Sequence, residues 1–205
     1  MQRIGIIGGT FDPIHTGHLI IAQEVCWSLG LSKILFVPAG DPPHKQNVNV
    51  TSAEHRLAMV RLGIAGNPAF EISNVELERG GLSYTADTLE TLHRQLGPDT
   101  ELYFIIGVDA AAELLNWYHP DRVIKYAKLA VVSRPGYRLP LNHLEKGLPG
   151  ITERIVRVDT PLIELASNEI RQRVSRGAPI CYLVPSEVED YIRFNSLYKR
   201  PGGYD

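Results

Sequence analysis

Residues 4–18, Ile4-Gly5-Ile6-Ile7-Gly8-Gly9-Thr10-Phe11-Asp12-Pro13-Ile14-His15-Thr16-Gly17-His18, decide the fold. The stretch opens as an apolar run, passes through two adjacent glycines, and runs into a helical pattern that starts near Leu19. That order reads as a buried strand, a tight turn and a helix N-terminus. Such a junction suits an anion, because unpaired backbone N–H groups and the positive end of the helix dipole face outward there. Two histidines three residues apart stand at the same junction, with Gly17 between them.

Working outward, the pattern of strand and helix continues to the end of the chain. Strands are expected at Arg3–Gly8, Lys33–Pro38, Phe70–Val75, Glu101–Gly107, Lys128–Ser133 and Ile155–Val158. Glu101–Gly107 is a continuous apolar run of the kind buried on both faces of a parallel sheet. The first helix is expected over Gly17–Leu29, stopped by Gly30, with Leu19, Ala22, Cys26 and Leu29 on one face. Thr51-Ser52-Ala53-Glu54 has capping-box spacing, as do Ser186 and Glu189, and each opens a predicted helix. Thr85 reads as the N-cap of a helix in which Leu89, Leu92 and Leu96 are in phase. Asp109–Trp117 reads as a short helix, and another is expected from Ser167 to Arg176, stopped by Gly177. Loops are expected over 39–50 and 135–150, and a frayed tail over 199–205. The expectation is one α/β domain over residues 1–205: a doubly wound, mostly parallel sheet with helices on both faces and a ligand crevice at the strand C-termini.

Composition narrows the function classes. The 205 residues are 44% hydrophobic and 21% charged, enough for a full core. A formal net charge of −2 offers no general attraction for nucleic acid or for a membrane surface. Cys26 and Cys181 form no C-x-x-C pair, which fits a reducing, cytoplasmic compartment. Neither a leader peptide nor a membrane span is expected from the sequence.

The glycine turn lacks G-x-G-x-x-G, and no Gly-Lys-Ser/Thr follows it, so neither a dinucleotide fingerprint nor a P-loop is present. A plain strand-to-helix turn would use the same glycines. The two histidines lack the i, i+4 spacing and carboxylate partner of a helical metal pair. Solvent-exposed or capping histidines remain the ordinary alternative to anion ligands. Asp12 reads as ordering the turn through its own backbone.

Gly8-Gly9-Thr10-Phe11-Asp12-Pro13-Ile14-His15-x-Gly17-His18 resembles the first signature of the nucleotidylyltransferase superfamily with its (H/T)-x-G-H motif. Glu71-Ile72-Ser73-x-x-Glu76-x-x-Arg79-x-Gly81-x-Ser83-Tyr84-Thr85-x-Asp87-Thr88-Leu89 is similar to the middle of bacterial nicotinate-nucleotide adenylyltransferases. Gly107-x-Asp109, Leu114-x-x-Trp117 and Ser133-Arg134-Pro135-Gly136 extend the similarity to about residues 3–195. Leu165-Ala166-Ser167-Asn168-Glu169-Ile170-Arg171 resembles the superfamily's C-terminal I-S-S/A-T-x-I-R signature, with Ala166 and Asn168 as departures.

The resemblance implies a Rossmann-like fold and the joining of nicotinate mononucleotide to ATP, giving deamido-NAD and pyrophosphate. It implies that His15 and His18 act on the ATP phosphates. Gly8, Gly9, Thr10, Phe11, Gly107, Asp109, Arg134, Ser167, Asn168 and Arg171 would bind ATP. Lys45, Tyr84, Thr85 and Trp117 would bind the mononucleotide, with His44 beside Lys45. Mg²⁺ would bridge ATP phosphates without a protein cage. The ordinary alternatives are a core tryptophan at Trp117, a plain helix cap at Thr85 and a cap at Asp109. His55, His93, His119 and His143 attract no role, while Tyr191, Phe194 and Tyr198 are expected to pack the last helix onto the sheet. The rivals are a phosphopantetheine-using relative and a non-catalytic nucleotide sensor; a homo-oligomer is left open.

Overall fold

The computed structural model describes residues 1–42, 50–133 and 139–199. Six strands form one sheet: β1 Gln2–Gly9, β2 Lys33–Pro38, β3 Phe70–Ile72, β4 Thr100–Gly107, β5 Ala127–Val132 and β6 Ile155–Val158. Every neighbouring pair is parallel, in the order β3-β2-β1-β4-β5-β6. The helices are α1 Thr16–Ser28, α2 Ala53–Ile64, α3 Val75–Arg79, α4 Thr85–Leu96, α5 Val108–Ala112, α6 Pro120–Tyr126, α7 Leu141–Gly147, α8 Ser167–Ser175 and α9 Ser186–Phe194. None of them is long and apolar enough to cross a membrane.

Two apolar layers flank the sheet, and strand alternation assigns residues to them. Leu102, Phe104 and Ile106 of β4 face the layer containing Leu89, Leu92, Ala111, Leu114 and Val123. Tyr103 and Ile105 face the layer containing Ala22, Val25, Met59, Val60, Val188 and Ile192. The doubly wound, Rossmann-like α/β expectation therefore holds. The sheet order reverses direction between β1 and β4, and this switch point opens a crevice at the strand C-termini.

Several expected boundaries move. The third strand stops at Ile72, and Val75–Arg79 is a helix instead, because Val75 packs into the core and Glu76 accepts from Thr88 Oγ1 at 2.6 Å. The predicted helix over Asp109–Trp117 divides into α5 and a 3-10 turn, Leu114–Asn116. The loop expected over 135–150 contains α7. The capping boxes at Thr51–Glu54 and Ser186–Glu189 are not made: Ser52 caps α2 without a side-chain bond, and Pro185 occupies the cap of α9. Phe194 is 90% exposed and packs nothing onto the sheet, whereas Tyr191 and Tyr198 lie against the core. At the end of α1, Gly30 adopts φ 58° and its N–H reaches Trp27 O, while Leu31 N–H reaches Cys26 O. That paired closure is the glycine stop the sequence predicts.

Candidate active site

A cavity of about 660 Å³ lies at the switch point. Ile7 and Gly8 at the end of β1, and Ile105, Ile106 and Gly107 at the end of β4, form its floor. His15 and His18 line one side; Ser167, Asn168 and Arg171 line another; Asp109 faces the same space. Thus eight of the residues expected to meet ATP come together here: Gly8, His15, His18, Gly107, Asp109, Ser167, Asn168 and Arg171.

His15 is the extended residue that caps α1, and its backbone N–H donates to Nδ1 of His18 at 3.2 Å. An accepting Nδ1 leaves the proton of the His18 ring on Nε2. The two rings stack 3.6 Å apart at 23°. Burial pushes the pKa of His15 down to about 4 and holds that of His18 well below the ordinary imidazole value, with His15 adding to the effect on His18. At neutral pH both are therefore neutral N–H donors. His15 is 6% exposed, and its Nδ1 has no partner among the described residues. A Cβ on Gly17 would stand 3.1 Å from that Nδ1, so the glycine gives the His15 ring its place. A Cβ on Gly107 would likewise meet Asp109 Oδ1 at 2.5 Å; the carboxylate lies directly over that glycine.

The second wall is the start of α8. Ala166 is its N-cap, although Ser167 and Asn168 are the residue types that usually cap a helix. Ala166 O accepts from the N–H groups of Glu169 and Ile170, leaving those of Ser167 and Asn168 without an intrahelical partner. An alanine cap also has no side-chain oxygen to compete for them. Ser167 Oγ donates to Pro13 O at 2.9 Å, and Arg171 Nη1 donates to Asp12 O at 2.6 Å. These two bonds fasten α8 to the histidine turn across more than 150 residues of chain.

Other predicted residues stand elsewhere. Phe11 is 2% exposed; its ring meets His18 edge-on at 5.1 Å and Phe36 at 5.9 Å, so the ring supports the histidine from the core. Gly9 and Thr10 give their carbonyls to Ala39 N–H and Arg56 Nη1, and neither lines the cavity. Asp12 does not order the turn through its own backbone: its carboxylate accepts from Thr51 N–H and Tyr198 O–H. Tyr84, not Thr85, caps α4, and its ring stacks on Tyr118 at 4.2 Å. Trp117 is half-buried and stands edge-on to Phe104 at 6.2 Å. Arg122 joins the two segments, 2.9 Å from Asp87 of α4 and bonded to Glu90, which also accepts from Tyr126. His44, Lys45 and Arg134 lie outside the described residues.

One residue that the sequence reading passed over organises the loops around the site. Arg56 is 2% exposed and donates to Thr51 O at 2.9 Å, Thr10 O at 2.8 Å and Gly40 O at 3.3 Å. Its signal was available: it falls in helical phase with the buried Met59, Val60 and Ile64, a cation on an apolar face.

Comparison with known proteins agrees with this geometry. The cytidylyltransferase-like family model matches residues 6–173. A protein of Moorella thermoacetica, named "Probable nicotinate-nucleotide adenylyltransferase", is 44% identical over 201 residues, covering 96% of this chain and 92% of that one. A relative of the same name from Roseiflexus sp. is 46% identical over 196 residues, covering 96% and 98%. The chain belongs to the cytidylyltransferase-like family and, within it, to the nicotinate-nucleotide adenylyltransferases. A Plasmodium falciparum nicotinic acid mononucleotide adenylyltransferase solved with NaAD superposes with a TM-score of 0.76, covering 97% of this chain and 98% of that one. At 21% identity that likeness speaks for the fold.

Proposed function

We propose that the cavity holds the triphosphate of ATP and joins its AMP part to nicotinate mononucleotide, producing deamido-NAD and pyrophosphate. The supporting observation is the convergence of His15, His18, Arg171 and the uncapped start of α8 on one space. All are N–H donors, the donor set that phosphate oxygens require. A 5′-phosphate oxygen of the mononucleotide attacks the α-phosphorus of ATP; the bond from that phosphorus to the bridging oxygen breaks, and pyrophosphate leaves. The nucleophile is already an anion, so no general base is needed, and catalysis lies in positioning and charge stabilisation. His18 Nε2–H is assigned to the charge that develops on the α–β bridge. Arg171 and the Ser167 and Asn168 amides hold the outer phosphates, and Asp109 accepts from ribose hydroxyls. Magnesium would be carried by ATP and would supply charge neutralisation at its phosphates.

The pyridine is assigned to the space by Tyr84, Thr85 and Trp117. There the start of α4 meets its carboxylate, and the indole meets its cationic ring, a contact worth about 0.5–2 kcal/mol. The reaction draws on cytoplasmic nucleotides, which is where we place it.

The test is pyrophosphate release from ATP and Mg²⁺ with nicotinate mononucleotide, nicotinamide mononucleotide or phosphopantetheine. Fast release with the first supports the assignment. Faster release with phosphopantetheine, or none with any acceptor, refutes it.

A further inference from the structure

Asp12 is 3% exposed, and three of its oxygen atoms hold three separate parts of the chain. Oδ2 accepts from Thr51 N–H at 3.2 Å, just ahead of α2. Oδ1 accepts from the hydroxyl of Tyr198 at 2.7 Å, 186 residues away. The backbone carbonyl accepts from Arg171 Nη1 at 2.6 Å, and that nitrogen is also 4.0 Å from the carboxylate. Asp12 lies three residues before His15, and the next carbonyl, Pro13 O, holds Ser167. One residue therefore sits between the histidines and the arginine of the phosphate site.

Tyr198 reaches this node by an unusual path. After α9 the chain turns back on itself, with Ser196 N–H on Arg193 O and Leu197 N–H on Ile192 O. Ser196 and Tyr198 both adopt left-handed φ, 50° and 65°. Side chains other than glycine rarely hold that conformation without compensation. The compensation at Tyr198 is its seat against the core and its bond to Asp12. Burial and the neighbouring carboxylate push the hydroxyl's pKa up, so it remains a donor throughout any workable pH.

We propose that Tyr198 is a positioning residue of the phosphate site: by fixing the Asp12 side chain it sets the Asp12 carbonyl that holds Arg171, and with it the spacing between Arg171 and the histidine pair. Resting on the function proposed above, this makes the segment after α9 a working part of the enzyme. Tyr198 acts through Asp12 and not on the substrate; its hydroxyl also lies 3.9 Å from Met59 Sδ.

Tyr198→Phe removes one oxygen and keeps the ring in place. A lost hydrogen bond to a charged acceptor is expected to raise the KM for ATP about five- to tenfold and to lower kcat by a similar factor. The KM for the mononucleotide stays within twofold, and the melting temperature moves by only a few degrees. This split between the two substrates is what a merely structural role would not produce. Because both residues act at Asp12, Tyr198→Phe combined with Arg171→Lys loses less than the product of the single losses. Unchanged constants for Tyr198→Phe, equal rises in both KM values, or fully multiplicative losses would overturn the inference. The unaltered protein is assayed alongside. If it releases no pyrophosphate, the functional reading beneath fails and this inference fails with it; if it turns over normally, the outcome bears on Tyr198 alone.

Discussion

Arg56 offers the sharpest quantitative test of how the site is held. It is nearly inaccessible and binds the carbonyls that follow β1 and β2 and the one that precedes α2. Burial pulls its pKa down, while Asp12, Tyr198 and Glu76 act in the opposite direction. Arg56→Met keeps the apolar stem and removes the charge. It orphans carbonyls whose bonds at 2.9 and 2.8 Å are strong and at 3.3 Å weaker. It also removes the cation from beside a carboxylate that is 3% exposed. Breaking a buried ionic arrangement from one side costs about 3–5 kcal/mol. In a chain of this size each kcal/mol corresponds to roughly 2–4 °C, so a fall of about 6–20 °C in Tm is expected. Arg56→Lys keeps the charge but cannot fork onto three carbonyls, and is expected to recover only part of the loss. Urea unfolding followed by tryptophan fluorescence reads both variants. A loss under about 1 kcal/mol for Arg56→Met would mean that the three loops are held by other contacts and that the bonds contribute little.

Other expectations follow from the same site. Because the folded pKa of His15 is depressed from 6.5 to about 4, its contribution to stability is present above pH 6.5 and is lost as pH falls towards 4. This is a loss of about 3 kcal/mol, measurable by urea titration at stepped pH and reduced in His15→Asn, where the buried His18 still contributes; a flat profile would refute it. Gly17→Ala gains helix propensity but sets a methyl 3.1 Å from the His15 ring, so turnover should fall about tenfold at nearly constant Tm, and full activity would dismiss the close fit. His18→Ala should lower kcat by about two to three orders of magnitude with ATP binding nearly intact, and an unchanged kcat would remove His18 from the reaction. Trp117→Ala should raise the KM for the mononucleotide about tenfold and leave that for ATP within twofold, while equal affinities in both proteins would make Trp117 a packing residue alone.

The sequence made the sheet legible because parallel strands buried on both faces write themselves as uninterrupted apolar runs, as Glu101–Gly107 does. It made the histidine wall of the cavity legible because the longer motif around His15 and His18 carries a family resemblance that the glycines and histidines alone do not. Local rules failed where tertiary contacts outrank them. Thr51, Thr85, Ser167 and Ser186 look like caps, yet α4, α8 and α9 begin one residue earlier than a hydroxyl cap would set them, and α2 begins one residue later, after Ser52, which makes no cap bond. Ser167 instead spends its hydroxyl on Pro13, a partner 154 residues away that no window could include. Phe11 sits inside the motif whose resemblance implies ATP binding. Its left-handed φ of 49° turns the ring inward, where it backs His18.

These misplacements share a physical meaning. Where α1 and α8 begin at the cavity, no serine, threonine, aspartate or asparagine caps them; the cap positions are His15 and Ala166. A well-capped helix start would satisfy its own amides and have less to offer a phosphate. The hydroxyls and carboxylate nearby, Ser167, Tyr198 and Asp12, are turned to fastening one wall to another. At α1 the His18 ring accepts from the His15 N–H within a capping box and Thr16 N–H reaches Leu183 O, so of the two it is the start of α8 that lacks a side-chain cap. The site is braced while, among the described residues, the buried His15 Nδ1 has no partner and the Ser167 and Asn168 amides have no intrahelical one. A triphosphate supplies acceptors in that number and sign, and its arrival would also raise the depressed imidazole pKa values, strengthening the donors as negative charge accumulates.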